Sequence, residues 1–193
     1  MRTEPVRGHV EVVCGPMFAG KSEELLRRVR RARLAGLEVE VVNHALDTRH
    51  GTGRVVSHSG LGVDSLVAAD ATGLLDLLQG RSPDLVAIDE AQFFGPDLVE
   101  VVDGLARRGI VVMVAGLCVT FDGRPFEPLP TLMATAEVVT RLTAVCAVCG
   151  ADAAFHQRVD PATVSDALSA GAEHVGGTET YQARCRHHRD AAR

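Results

Sequence analysis

Residues 9–29 read HVEVVCGPMFAGKSEELLRRV, and the three parts of this stretch decide the fold. HVEVVCG is short, rich in Val and ended by Gly, which is the pattern of a buried strand feeding a glycine loop. GPMFAGKS, Gly15 to Ser22, satisfies G-x-x-x-x-G-K-[ST]. From Lys21 to Ala35, Leu25, Val29 and Ala32 share one face at i, i+4, i+7 with Leu26 beside them, and Gly36 stops the predicted helix. Strand, loop and helix in this order give the motif the context that confirms it. Glycines let backbone N–H groups turn inward around phosphates, Lys21 adds a point charge, and Ser22 offers a hydroxyl to Mg²⁺ at a helix N-terminus. Gly15, Pro16, Met17, Phe18, Ala19, Gly20, Lys21 and Ser22 are therefore the candidate nucleotide-binding residues.

Outward from that loop, strand and helix alternate. EVEVVNH and RVVSHSG read as strands, DATGLLDLLQG as a helix, DLVAIDE as a second buried strand, GPDLVEVVDGLARRG as a helix with Pro96 near its first turn and Gly109 past its end, and IVVMVAG as a third buried strand. The alternation predicts an α/β fold, a parallel sheet with helices on both faces joined by right-handed crossovers. LCVTFDGRPFEPLP reads as a long loop and VVTRLTAVC as a further strand. A boundary is expected near Ala144, dividing a nucleotide-binding domain (1–144) from a small metal-containing lobe (145–193).

DLVAIDEAQFF supplies the other half of a nucleotide site. Its strand is apolar enough to deliver its C-terminal end to the crevice above the sheet, carrying Asp89 as the expected Mg²⁺ partner and Glu90 as the candidate base. Ala91 and Gln92 follow in the same segment and are grouped with the nucleotide. An Asp-Glu pair serves ATP hydrolysis as well as kinase chemistry, so spacing alone leaves both open.

The five cysteines include Cys146, Cys149 and Cys185, and CAVCG followed by CRHH gives C-x2-C and C-x2-H knuckles. Four ligands in two knuckles, Cys146, Cys149, Cys185 and His188, form a tetrahedral zinc pattern with no position left for water, and hence a structural site. His187 is the rival fourth ligand, at a less usual spacing. The metal would clamp a roughly 35-residue excursion between Cys149 and Cys185.

Composition narrows the partners. The chain of 193 residues is 46% hydrophobic and 23% charged, the balance of a globular domain with its own core. No apolar run spans a bilayer and MRTEPVRGHV lacks a signal-peptide core, so no membrane partner and a cytoplasmic location are the expectation. A formal charge of −5 argues against a broad grip on nucleic acid, and 4% aromatic residues with no Trp offer few stacking platforms. The Arg27, Arg28, Arg30, Arg31 and Arg33 set reads as a solvated or intersubunit face, with a polyanion site as the alternative.

GPMFAGKSEELLRRVRR, DEAQFF, TFDGRPF, LTAVCAVCG and VGGTETYQARCRHH, in this order, resemble the zinc-containing thymidine kinases, a family of cytosolic animal and bacterial enzymes, over nearly the whole chain. The resemblance implies transfer of the ATP γ-phosphoryl to the 5′-hydroxyl of thymidine, and of deoxyuridine, making dTMP for DNA synthesis by nucleoside salvage, with Glu90 as general base. It also implies that the clamped excursion is a lasso loop over the nucleoside base, through Ala172, Glu173, His174, Val175 and Gly176 with Tyr181 nearby. Met17, Phe93 and Phe121 would supply apolar walls, Phe126 serving either core or pocket. Arg158, and less directly Arg49, would reach toward the phosphates. A homotetramer and feedback inhibition by thymidine triphosphate are further implications. This sequence differs from many bacterial members at Cys118, Thr120 and Asp122. The competing reading is a zinc-knuckle P-loop ATPase or nucleic-acid-binding module in which Glu90 activates water.

Overall fold

A computed structural model describes residues 8–47, 53–56, 62–159 and 180–189. In chain order its elements are β1 (His9–Gly15), α1 (Lys21–Leu34), β2 (Val39–His44), β3 (Arg54–Val56), β4 (Gly62–Asp64), β5 (Leu66–Ala68), α2 (Ala71–Leu78), β6 (Leu85–Ile88), a 3-10 turn (Ala91–Phe93), α3 (Leu98–Arg107), β7 (Val111–Leu117), α4 (Leu129–Thr135), β8 (Val138–Arg141), β9 (Ala144–Val145), β10 (Asp152–Ala153), β11 (Phe155–Arg158) and β12 (Tyr181–Arg184). Six strands form one sheet in the order β5-β2-β6-β7-β1-β8, and every neighbouring pair is parallel. The antiparallel pairs β3–β4, β9–β10 and β11–β12 lie outside it.

The two sheet faces have separate cores, set by strand alternation. Val10, Val12 and Cys14 of β1, Val86 and Ile88 of β6, and Val112 and Val114 of β7 face α2, α3 and α4 through Leu74, Leu98, Val102, Leu105, Leu129 and Leu132. The intervening residues Val13, Leu85, Ala87, Val111, Met113 and Ala115 face α1 through Leu25, Leu26, Val29 and Ala32. Burying a side chain of this size contributes about 1.5–3 kcal/mol relative to exposure, so either helix stripe can hold its helix on the sheet. Helices on both faces of a parallel sheet match the sequence expectation. At the helix starts, Asp70 caps α2 by accepting from the Gly73 amide at 2.7 Å.

Three details differ from the sequence reading. The stretch after β7 holds α4, which its Pro content obscured; Pro130 lies in the first turn, where a missing N–H costs no helical bond. VVTRLTAVC is two strands, because Leu142 still donates to Cys14 at 2.8 Å on the main sheet while Ala144 and Val145 pair with β10. Arg28 does not belong to a solvated arginine face. Its guanidinium donates to Glu11 on β1 at 2.6 Å and to Thr140 on β8 at 2.8 Å, which ties α1 to two strands.

Candidate active site

Parallel strands bring their C-terminal ends to one edge of the sheet, and there β1 and β6 end on either side of β7. At the end of β1, a Cβ on Gly15 would lie 2.6 Å from the Leu142 carbonyl oxygen, so only glycine lets the chain turn there. Gly20 adopts left-handed φ 80° and ψ 22° immediately before α1, and no side chain caps that helix. A helix start without a side-chain cap is the kind of terminus that suits an anion. The Lys21 ammonium turns back over the loop and donates to the Pro16 carbonyl at 2.8 Å. The strand end, glycine turn and helix start that the sequence predicts around Gly15 to Ser22 are all present.

Asp89, just beyond β6, is buried and accepts the Glu90 amide at 3.0 Å. Burial and the neighbouring Glu90 charge push its carboxyl up to about 7, against the opposing pull of the Ser22 hydroxyl bonded to it and of Lys21. Ser22 and Asp89, the hydroxyl and carboxylate expected to hold Mg²⁺, are therefore in contact. Two hard oxygen donors at an anion cradle suit that ion. Glu90 is half-buried and adopts left-handed φ 52° and ψ 40° ahead of the 3-10 turn. Gln92 is 1% exposed; its amide nitrogen donates to the Glu90 carboxylate and its oxygen accepts the Leu117 amide at 2.9 Å. Ala91 is fully buried against the sheet core.

The expected apolar walls fall into two groups. Met17 is buried at the loop, and Phe93 is half-buried beside His44, with ring centroids 5.7 Å apart. Phe121 lies 6.4 Å from Tyr181, and the Arg158 guanidinium stacks over both rings at 4.9 and 5.5 Å while donating to the Tyr181 hydroxyl at 3.2 Å. Phe126 is buried, donates its amide to the Cys118 carbonyl and belongs to the core. Two residues before Arg158 on β11, His156 is 3% exposed, packs edge-on against Tyr181 and leaves Nδ1 without a hydrogen-bond partner. Burial, with a smaller contribution from the Lys21 charge, drives its pKa down to about 3. His44, absent from the sequence-based site, is buried and packs edge-on against Phe94 with ring centroids 4.7 Å apart; its signal is a polar residue ending an apolar strand beside β6. Ala172, Glu173, His174, Val175, Gly176 and Arg49 lie outside the described residues.

The metal knuckles close as expected. Ligand atoms of Cys146, Cys149, Cys185 and His188 all lie within 4.8 Å of one another. Cys149 and Cys185 sulfurs are 3.8 Å apart, and His188 Nδ1 is 3.9 Å from Cys146 and 3.2 Å from Cys185. A tetrahedron with zinc–sulfur bonds of about 2.3 Å has edges of about 3.8 Å, so three thiols and an imidazole at these separations fit zinc. Among the described residues His187 takes no part in the cluster. Backbone bonds shape both knuckles: Gly150 donates to Cys146 at 2.9 Å, and His188 and Arg189 both donate to Cys185 at 3.1 Å. Phe18 and Ala19 of the phosphate loop pack directly against the small core formed by Ala144, Cys146, Ala153, Ala183 and Cys185. Arg189 crosses from the second knuckle to lie against Gly123, where a Cβ would meet its guanidinium at 2.5 Å.

A phosphate-loop motif on the first strand of a parallel sheet, a hydroxyl and a carboxyl in contact and a neighbouring carboxylate are the features of a P-loop nucleotide-handling class, here with a three-cysteine, one-histidine lobe against the loop. Comparison with known proteins narrows this. A family model described as thymidine kinase matches residues 8–189. A thymidine kinase of Bdellovibrio bacteriovorus is 47% identical over 182 residues, covering 94% of this chain and 85% of that protein. One from Deinococcus deserti is 44% identical over 193 residues, covering 94% of each. A crystal structure of a DNA replication initiation factor overlaps 70% of this chain and 40% of its own at TM-score 0.41 and 12% identity, a likeness too loose to bear on function. The chain belongs to the thymidine kinase family.

Proposed function

We propose that Glu90 takes the proton of the thymidine 5′-hydroxyl while the cradle of Gly15 to Ser22 holds the phosphates of ATP. The observation that carries this reading is the placement of Glu90: a half-buried carboxylate directly after Asp89, held by Gln92 at the strand-end edge of the sheet. The oxygen bonds to the γ-phosphorus, the bond to the bridging β–γ oxygen breaks, and ADP leaves with the electron pair. Lys21 offsets charge on the transferring group, and Ser22 and Asp89 hold Mg²⁺, which supplies charge neutralisation on the phosphates. Arg158, whose guanidinium is aligned by Phe121 and Tyr181, is the second cation offered to them. Phe93, Phe121 and Met17 line the nucleoside side. Residues 1–144 form the nucleotide-binding domain and 145–193 the zinc-binding lobe that contributes Arg158. Deoxyuridine is a second acceptor, the assembly is a homotetramer, the site of action is cytoplasmic salvage of nucleosides for DNA synthesis, and no nucleic acid or membrane takes part. Among the described residues no helix is long and apolar enough to cross a membrane.

The test is ADP release under Mg-ATP with and without thymidine, beside deoxycytidine, uridine and single-stranded DNA. Release that requires thymidine and yields its 5′-monophosphate supports the reading; release without it, raised by DNA, makes water the acceptor. Glu90→Gln should then lose on the order of a hundredfold in kcat while retaining ATP binding.

A further inference from the structure

Gln92 is more deeply buried than the carboxylate it touches. Its side-chain amide has two ends, and both are spoken for: the oxygen accepts the Leu117 amide, and the nitrogen donates to Oε2 of Glu90. Leu117 is the last residue of β7, the strand paired with β6 in parallel, so one end of the amide is fixed to the rigid sheet. The other end reaches the residue that leaves β6 on a left-handed backbone. Room for this link comes from Gly116, where a Cβ would stand 2.7 Å from the Gln92 oxygen and 3.2 Å from the Ala91 amide. An exposed glutamine at a strand end needs none of these provisions.

From this geometry we infer that Gln92 is a positioning residue for the phosphoryl-transfer reaction, fixing the rotamer of the Glu90 carboxylate by a hydrogen bond anchored on β7. The inference rests on the reading of Glu90 as the base. A carboxylate on a flexible two-carbon stem must be held near its productive orientation to take a proton from a bound alcohol, because small misplacements cost large factors in rate. Gln92 does so through Glu90, with both ends of its own amide engaged by protein. Its donor engages one carboxylate oxygen, Oε2, and so fixes the plane in which the carboxylate meets a substrate hydroxyl.

Two isosteric substitutions separate this role from simple support of the fold. Gln92→Glu keeps an oxygen to accept from Leu117 but replaces the donor facing Glu90 with a second oxygen. In the zinc-loaded full-length protein it should lower kcat at least about tenfold at pH 8, with the KM values for thymidine and ATP within about threefold of the parent. The deficit should narrow as pH falls, because the introduced carboxyl regains a hydrogen-bond donor when protonated. Gln92→Met, which lacks donor and acceptor, should show the same kcat loss without recovery at low pH, and it serves if the acidic variant does not fold. Glu90→Gln run alongside separates the two readings. If Glu90→Gln is inactive while both Gln92 variants turn over within twofold of the parent, or the Gln92→Glu deficit has one size at every pH, positioning is overturned and the base assignment stands. Near-normal turnover by Glu90→Gln overturns the base assignment itself, and the positioning role with it.

Discussion

Replacing His156 with Phe should make the protein less sensitive to acid, by an amount that follows from burial. In the folded chain the imidazole is 3% exposed and its pKa is held down at about 3. In the unfolded chain it returns to the ordinary value of about 6.5. Between these values the unfolded state binds a proton that the folded state refuses, so stability rises with pH through this window and is lost as pH falls below about 6.5. At pH 5 the unfolded imidazole is almost fully protonated and the folded one almost fully neutral. The linkage integral then amounts to about 2 kcal/mol against the folded state, while at pH 7.5 it is about 0.1 kcal/mol or less. A Phe ring can occupy the same edge-on position against Tyr181 and removes the unpartnered Nδ1. The assay is urea unfolding of both proteins at pH 7.5 and pH 5 with zinc saturating, so that protonation of the knuckle ligands is common to the two and cancels in their difference. The stability of the Phe variant relative to the parent should grow by about 2 kcal/mol on going to pH 5. A difference constant between the two pH values would refute the buried, neutral imidazole.

Cys149→Ser should release zinc, with metal per chain falling from about one to well below it, since a hydroxyl replaces one of four tetrahedral ligands; metal analysis after dialysis decides. Arg28→Met should cost about 1–3 kcal/mol in urea unfolding, because Glu11, 17% exposed, loses its guanidinium partner. A loss below about 0.3 kcal/mol would return Arg28 to the ordinary surface class. Asp70→Ala should cost about 1 kcal/mol through the lost cap on α2, and Asp70→Asn should recover most of it.

What the sequence made legible was whatever a short window can hold. The β1–loop–α1 unit, the acidic end of β6 and each of the two metal knuckles occupy one short continuous stretch of chain, and their glycine, lysine and cysteine spacings have few other uses. Features that depend on distant pairing stayed hidden. Gln92 stands in plain view beside Glu90, but its anchor Leu117 is 25 positions away and becomes a neighbour only through the β6–β7 pairing. Arg28 looked like one more arginine on a charged helix because Glu11 and Thr140 belong to other strands. The small β-pairs after β8 are two to four residues long, too short to show a period, and α4 hides behind its own prolines.

Phe18 and Ala19 are at once part of the phosphate cradle and part of the small core that the zinc ligands build. A shared wall of this kind makes two binding equilibria answer to one another. If the clamped lobe favours the loop shape that accepts ATP, thermodynamic reciprocity requires that ATP strengthen the hold on zinc by the same factor. On that condition the chain would surrender its zinc to a chelator fastest when no nucleotide is bound.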